Sequence, residues 1–318
     1  MKWICAPLAA FFIVTGTGES ADKVRIGIPG LGAQFMAFPL AQKKGFLKDE
    51  GLEAEIIRII GTVAIAALVS SELDYWTAIG FTARSAIQGI PVKVVHGNLP
   101  VYPASLVGGP EINSVKDLKG KTIAVSVFGG GPDTMARLLL RHFGLDPEKD
   151  VKFVATGGPE TRIAAMKQGL IAGTILSVPT DSQAAKFGFH VLARAHEVLS
   201  YPEGGLVATT KKIKERPDET KRLIRAGIKA NRYIRTEREE TIQFLADWMK
   251  IDREFAMAAY DAVGKSFSED GGVPENGLRF VIEENKKIAK VSREVALNDV
   301  SDFSLLRDAQ KELGMRGK

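Results

Sequence analysis

Clusters of small, polar and aromatic residues follow several apolar segments of this sequence and directly precede helical ones. Glycine in such loops lets backbone N–H groups approach a bound group closely, and a helix N-terminus directs positive charge toward that group. This combination is suited to holding an anionic group of a small molecule. The residues that we expect to contact the ligand are Gly32, Ala33, Gln34, Phe35, Gly61, Thr62, Gly80, Phe81, Ser126, Phe128, Gly129, Gly130, Gly131, Thr134 and Ser177.

An apolar part of the ligand is expected from the binding energy that these loops can supply. One helix terminus contributes about 0.3–1 kcal/mol, whereas micromolar affinity needs about 8 kcal/mol. Burial of roughly 200 Å² of apolar surface adds about 5 kcal/mol. Candidates for this contact are Tyr102 and Tyr201 and also Phe35, Phe81 and Phe128, for which core packing is the alternative. We therefore expect a small organic anion with an apolar or aromatic body.

Two arginines lie about one turn into helices that follow the glycine-containing loops. Arg84 follows Gly80-Phe81, and Arg162 follows a Gly-Gly pair at 157–158. Either side chain can pair with a carboxylate. The sequence favours the alternative, an exposed surface position, for each of them.

Patterns that indicate catalysis or metal binding are weak. Ser126 lacks the Gly-x-Ser-x-Gly elbow of a hydrolase nucleophile. The segment 30–35 begins like a dinucleotide fingerprint, but Phe35 stands where the third glycine belongs. The only cysteine is Cys5, and none of the four histidines has the spacing of a metal ligand: His96, His142, His190 and His196. We predict a protein that is not an enzyme and that needs no cofactor or metal.

An internal repeat supplies the elements that must position the loops. Strand, glycine loop, helix and strand occur at 24–28, 30–34, 35–44 and 53–60, and the same order returns about 97 residues later at 122–127, 128–131, 132–142 and 151–156. Further strands are expected at 73–79 and 173–178, and the segments 80–82, 157–158 and 177–180 are expected as loops. This order is typical of βαβ units on a largely parallel sheet. The sequence therefore predicts an α/β protein with two lobes.

After Tyr201 the sequence pattern predicts helices and no further strands. Helices are expected at 218–235, 237–249, 252–264, 275–290 and 301–313. We expect them to pack on the first lobe, which then comprises 22–101 plus 203–318, while 105–196 forms the second lobe. The crossovers at 99–105 and 197–206 are the expected hinge. Ligands of open α/β sheets bind beyond the carboxyl ends of the strands, so the cleft between the lobes is the expected site.

The amino terminus has the features of a secretory signal peptide. Lys2 precedes an apolar run at 3–14, and small residues follow up to Ala21. The run is too short to span a bilayer. We expect residues 1–20 to be removed and the mature protein to be periplasmic, and an N-terminal core helix is the alternative.

The chain of 318 residues is 45% hydrophobic and has a net charge of +5. Its segment 211–240 contains eleven basic and six acidic residues, which accounts for the whole excess. The apolar residues of this segment recur at helical spacing, so the charges lie on the outer face of a helix. The charged face has two interpretations, a solvated surface and a docking surface for a partner. Without a nucleic-acid module, binding to nucleic acid is not expected.

Three segments resemble the nitrate, sulfonate and taurine binding proteins of ABC importers, a family that also includes thiamine-pyrimidine-synthase-like proteins. They are AQKKGFLKDEGL at 41–52, ELD at 72–74 and DLKGKTIAV at 117–125. The resemblance implies a type II periplasmic binding protein fold, a cleft that closes on a small anionic solute, and an ABC permease as partner of a monomer. It places the anion at loops matching 30–34, 61–62, 80–81 and 126–131.

The chain departs from this family at two places. Ser70-Ser71 replaces a common glycine, and Gly129-Gly130-Gly131 is unusually rich in glycine, so the ligand need not be that of the better-known members. The enzyme branch of the family uses a cysteine-rich motif that this chain lacks. A cytoplasmic cleft enzyme of the menaquinone- or pyrimidine-biosynthesis type is the alternative function, and a ligand-sensing partner of a membrane receptor is a third.

Overall fold

A computed structural model describes residues 21–315 of the chain, so the expected signal peptide lies outside the described residues. The strands are β1 (Asp22–Ile28), β2 (Leu52–Arg58), β3 (Tyr75–Ala78), β4 (Val92–Leu99), β5 (Ala104–Gly108), β6 (Thr122–Val125), β7 (Lys152–Ala155), β8 (Gly173–Ser177), β9 (His190–Arg194) and β10 (Gly204–Thr209). They form two five-stranded sheets with the orders β2-β1-β3-β10-β4 and β7-β6-β8-β5-β9.

Helices surround both sheets. They are α1 (Ala37–Lys43), α2 (Phe46–Asp49), α3 (Gly61–Val69), α4 (Ile79–Ile87), α5 (Gly131–His142), α6 (Pro159–Lys167), α7 (Thr180–Ala185), α8 (Ala195–Val198), α9 (Thr210–Glu215), α10 (Pro217–Thr236), α11 (Arg238–Met249), α12 (Arg253–Val263), α13 (Glu275–Ala289), α14 (Leu297–Val300) and α15 (Ser304–Glu312). Short 3-10 turns occur at Ala33–Phe35, Val115–Leu118 and Gly264–Ser266. Within residues 21–315, none of the helices is long and apolar enough to cross a membrane.

The internal repeat is visible in the strand order of the two sheets. β2, β1, β3 and β4 occupy the same places in the first sheet as β7, β6, β8 and β9 occupy in the second. In each sheet the remaining strand runs antiparallel to its neighbours: β10 pairs with β3 and β4, and β5 pairs with β8 and β9. Each of these strands follows directly after a crossover from the other sheet, so the chain passes between the sheets at 100–103 and again at 199–203.

Three elements differ from the sequence-based expectation. The chain is not purely helical after Tyr201, because β10 comes first, and neither β5 nor β10 was expected as a strand. Gly80 and Phe81 do not form a loop, because α4 begins at Ile79 immediately after β3. The last helix, expected at 301–313, starts only at Ser304 as α15, since Ser301 is extended, and α14 before it was not expected. Both unexpected strands are short and pair with strands that are distant in sequence.

The carboxyl-terminal helices pack on the first sheet. α10 contacts β4 and α1, α13 contacts α4, and α15 contacts α10. α5, α6 and α7 pack on the second sheet. We call the first sheet with its helices the first lobe, and the second sheet with its helices the second lobe.

Ion pairs with carboxylates explain much of the basic segment 211–240. On α10, Arg225 and Lys229 both pair with Glu50, at 2.5 and 2.7 Å. Arg222 pairs with Asp22 at the start of β1. Burial alone would raise the pKa of Glu50, but its hydrogen bonds to Arg225 and Lys229 outweigh that effect and lower the pKa. These charges therefore fasten α10 to the first lobe.

Candidate functional site

The carboxyl ends of central strands from the two sheets face each other. Gln34 follows β1 in a 3-10 turn, and Ser177 is the last residue of β8. The Gln34 side-chain amide donates a hydrogen bond of 3.2 Å to the Ser177 hydroxyl. Two of the predicted ligand-contacting residues thus meet across the boundary between the lobes, at the edge where an α/β protein binds ligands.

A glycine loop precedes α5 on the second lobe. Gly129 has φ of +73°, and its N–H donates to the Asp133 carboxylate at 2.7 Å. The guanidinium of Arg84, from α4 of the first lobe, occupies the space that a Cβ on Gly129 would need. A Cβ on Gly130 would lie 2.9 Å from the Val127 side chain. The neighbouring side chains can approach the backbone of this loop so closely only because its glycines carry no side chains.

Arg84 is half-buried at this contact between the lobes. Among the described residues, no carboxylate forms a salt bridge with Arg84, and no group accepts a hydrogen bond from its guanidinium. Gly129 contributes no charge to balance it. Arg84 therefore places a guanidinium without a salt bridge beside the glycine loop.

Two tyrosines from the crossovers each lie against the first turn of a helix, one in each lobe. The Tyr201 hydroxyl lies against Gly80 in the first turn of α4, and the Tyr102 hydroxyl would be 2.6 Å from a Cβ on Gly131 at the start of α5. The two rings pack edge to face with centroids 5.8 Å apart. Both phenols are buried, which raises their pKa. The helix N-termini of both lobes are thus packed against one aromatic pair between them.

Arg162 on α6 is buried rather than on the surface, contrary to the alternative that the sequence favours. It is 4% exposed, and Nη1 donates to the Thr174 hydroxyl at 3.2 Å and to the Ile175 carbonyl. These acceptors are neutral, and no carboxylate in residues 21–315 forms a salt bridge with it. Burial lowers its pKa to about 10, so it keeps its charge at neutral pH. The Tyr102 phenol and the Glu160 carboxylate act in the opposite direction and raise the pKa of Arg162.

The other predicted residues are distributed unevenly. Gly61, at the start of α3, lies against the Phe81 ring, which is half-buried, and Ser126 lies 3.5 Å from the Cβ position of Gly130. A Cβ on Gly32 would meet the Gln34 side chain at 2.6 Å. The residues that lie in the interior are Ala33, Phe35 and Thr134, and those with exposed positions are Thr62 and Phe128. Phe35 belongs to the hydrophobic core, while the Phe128 side chain is 57% exposed.

Sequence reasoning did not identify Glu203, which immediately precedes β10. It is 5% exposed, and its Oε2 atom has no hydrogen-bond partner among the described residues. Burial raises the pKa of this carboxyl to about 8. The available signal was an acidic residue between Tyr201-Pro202 and an apolar strand that begins with Gly204-Gly205.

Two sheets with the same strand order, joined by two crossovers, define the two-lobed periplasmic binding protein fold class. The particular family is shown by a family model described as "NMT1/THI5 like", which matches residues 33–241. The chain belongs to this family. The resemblance found in the sequence is thereby confirmed. A search of curated proteins finds no match.

Solved structures with low sequence identity have the same fold. A protein of Bordetella bronchiseptica RB50 is 21% identical with a TM-score of 0.79, over 92% of this chain and 98% of that one. The periplasmic nitrate-binding protein NrtA of Synechocystis is 17% identical with a TM-score of 0.75, over 92% and 89%. The periplasmic aliphatic sulphonate binding protein SsuA of Escherichia coli is 16% identical with a TM-score of 0.73, over 90% and 99%. These similarities confirm the predicted fold class.

Proposed function

We propose that this protein is the solute-binding component of an ABC importer and that it captures a small organic anion between its lobes. The observation that carries the proposal is a pair of arginines, Arg84 on the first lobe and Arg162 on the second, neither of which forms a salt bridge within residues 21–315. A buried or half-buried cation is expensive unless an anion neutralises it. A solute anion supplies that neutralisation.

The nature of the relatives supports the same proposal. NrtA is a nitrate-binding protein and SsuA an aliphatic sulphonate binding protein, and both are described as periplasmic. By analogy, this chain would be exported by its segment 1–20, would act in the periplasm as a monomer, and would deliver solute to a permease. The aromatic side chains of Phe81 and Phe128, half-buried and exposed respectively, would contact the apolar part of the solute.

Lobe closure is the proposed mechanism. The crossovers at 100–103 and 199–203 would act as the hinge, within the segments 99–105 and 197–206 expected from the sequence. A solute shifts the balance toward the closed state only if it binds that state more tightly than the open one. A solute that contacts Arg84 and the glycine loop together meets this condition, because these groups belong to different lobes. The permease would then recognise the closed form.

Calorimetric titration with three groups of anions tests the proposal: aromatic carboxylates, alkanesulfonates and nitrate. We expect an organic anion to bind. Replacement Arg84→Gln is expected to weaken binding by about 10- to 100-fold, the loss for a charged hydrogen bond. Arg279→Gln is the matched control, because Arg279 is exposed on α13 and its only ion pair in the part of the chain that the structure describes is with Glu275. Tight binding of nitrate alone, or equal affinity of both variants, contradicts the proposal.

A cleft enzyme on the same scaffold is the alternative function. We favour a binding protein because the relatives named above are binding proteins and because the only cysteine, Cys5, lies in the expected signal peptide. Mass spectrometry of the tightest-binding anion after prolonged incubation with the protein distinguishes the two. The binding function predicts that the anion is recovered unchanged, and conversion to a new product would establish the enzyme.

A further inference from the structure

Glu203 is fastened to the first lobe by its backbone. Its N–H donates to the Leu99 carbonyl at 3.1 Å, and its carbonyl accepts from the Ile79 N–H at 2.9 Å. Leu99 ends β4 and Ile79 begins α4, and β10 starts one residue after Glu203. Glu203 therefore moves with the first sheet, although it lies at the end of the second crossover.

Tyr102, on the first crossover, is fastened to the second lobe. The carbonyl of its neighbour Pro103 accepts a hydrogen bond of 3.0 Å from the Val178 N–H, directly after β8. The Tyr102 hydroxyl would lie 2.6 Å from a Cβ on Gly131, the first residue of α5. Tyr102 therefore moves with the second sheet.

The Glu203 side chain is buried at the boundary between these two parts. It is 5% exposed, and its Oε2 atom has no hydrogen-bond partner among the described residues. Burial, and after it the Glu203 carboxyl, raises the pKa of Tyr102, so the two groups are close. A Cβ on Gly204, the next residue, would lie 2.5 Å from the backbone oxygen of Gln34, whose side chain bonds Ser177 of the second lobe. The carboxyl is thus buried while the lobes are in contact.

The nearest elements leave Glu203 without a charged partner. On the second crossover, Tyr201 is a neutral phenol, because burial and next the Glu203 carboxyl raise its pKa. On α4, the Arg84 guanidinium lies at Gly129 of the second lobe. On β4, the His96 ring lies against α10, and burial lowers its pKa to about 3, so it is neutral as well.

Two further charges act on the tyrosines. Arg162 of α6 lowers the pKa of Tyr102 and Glu284 of α13 raises that of Tyr201, while burial is the main cause of both shifts. Glu284 already pairs with a cation of α5. Within residues 21–315 Glu203 forms no salt bridge, and burial raises its pKa to about 8. Near neutral pH this environment therefore favours the neutral acid.

We propose that Glu203 makes closure of the lobes proton-linked: the closed form holds this carboxyl as the neutral acid, and the open form lets it ionise in water. The linkage deepens the proposed function, because it rests on the lobe closure described there. Separation of the lobes moves Tyr102 away from Glu203, since the two residues are fastened to different sheets. Water then reaches the carboxyl and stabilises its charge.

The linkage gives the solute affinity a definite dependence on pH. Where the open form is ionised and the closed form is protonated, closure takes up one proton, so each pH unit changes the affinity by up to about tenfold. The affinity falls as pH rises from the ordinary glutamate range toward about 8, and it is constant above that range. Capture is therefore tightest on the acidic side of neutrality.

Calorimetric titration at several pH values tests this linkage. The probes are benzoate, propane-1-sulfonate and octane-1-sulfonate, which stay ionised between pH 6 and 8, so any proton taken up binds to the protein. For the tightest-binding probe, we expect at least about tenfold weaker binding at pH 8 than at pH 6. Titrations at pH 7 in buffers with different ionisation enthalpies should show uptake of about one proton per solute.

Substitution of Glu203 assigns the proton to this carboxyl. Glu203→Gln keeps the size of the side chain and stays neutral, so its affinity should change by less than about threefold between pH 6 and 8. It should also take up about one proton fewer. Glu197→Gln, at an exposed position on α8, is the matched control and should behave like the unaltered protein. Unfolding curves of both variants establish that each is folded.

The outcomes separate the linkage from the proposed function. The same affinity at pH 6 and 8 overturns the linkage and leaves anion binding intact, and so does a pH dependence that persists in Glu203→Gln. Absence of proton uptake by the unaltered protein also overturns the linkage, whether or not the variant folds. Failure of all the anions to bind overturns both.

Discussion

Arg141 and Glu284 form an ion pair of 3.0 Å between the two lobes. Arg141 is in the last turn of α5 on the second lobe, and Glu284 is on α13, which packs against α4 of the first lobe. The Glu284 side chain is almost fully buried. Its other oxygen accepts a hydrogen bond from Lys287 of the same helix at 2.6 Å. One carboxylate thus joins a contact between the lobes to a contact within one lobe.

Removal of the pair between the lobes should favour the open form. For Arg141→Gln we expect a loss of about 1 kcal/mol from the closed state and therefore about fivefold weaker solute binding, with a larger radius of gyration in X-ray scattering. Lys287→Gln is the control, because it breaks only the pair within α13. An Arg141→Gln protein with unchanged affinity and radius would show that this pair does not contribute to closure.

The loop before α5 provides a test of close backbone approach. Gly129→Ala places a methyl group where the Arg84 guanidinium lies, so we expect at least about tenfold weaker binding of the anion. The matched control is Gly144→Ala after α5, since Gly144 has φ of +85° and open space around it. Both changes should lower the free energy of unfolding by about 1–2 kcal/mol because of the left-handed backbone. The same affinity in both variants would remove the glycine loop from the site.

The raised pKa of Glu203 predicts how the free energy of unfolding depends on pH. Its pKa in the folded protein is raised to about 8 by burial, so the unfolded chain loses this proton at lower pH than the folded chain does. Stability therefore falls as pH rises from the ordinary glutamate range toward about 8. Relative to Glu203→Gln, the unfolding free energy in urea should fall by up to about 1.4 kcal/mol per pH unit between pH 5 and 7.5. A constant difference between the two proteins over this range would contradict a buried, protonated Glu203.

Glu50 tests the interpretation of the basic segment as a structural face. Its side chain is 7% exposed and pairs with Arg225 and Lys229 of α10. Glu50→Gln leaves two cations without their partner, so we expect a loss of about 3 kcal/mol in the free energy of unfolding. Glu275→Gln, which removes an exposed pair with Arg279, should cost less than about 0.5 kcal/mol. A negligible effect of Glu50→Gln would contradict this interpretation and favour a docking surface for a partner at segment 211–240.

Local patterns predicted much of the fold. The apolar strands and the glycine loops recur in both halves, and the lobes follow from that repeat. β5 and β10 could not be predicted in this way, because their pairing depends on strands reached only after the chain crosses between the sheets. Gly80 was expected in a loop because glycine usually marks one, yet it lies in the first turn of a helix. The Tyr201 hydroxyl occupies the space that a side chain at this position would need.

The candidate site was predicted less completely than the fold. Gln34 and Ser177 were expected at the cleft, and their hydrogen bond joins residues 143 positions apart. The burial of Arg162 depends on acceptors of β8, and Glu203 is held by backbone hydrogen bonds to Leu99 and Ile79. A sequence shows the type of such a residue, but its burial is determined by how distant elements pack around it.

A crystal structure of the protein with the organic anion that binds most tightly in the titrations is the most direct test of the account. We predict one molecule between the lobes, with its anionic group in contact with Arg84 and the amides near Gly130. A molecule bound on the outer surface, or one between the lobes whose anionic group contacts no basic side chain, would contradict it.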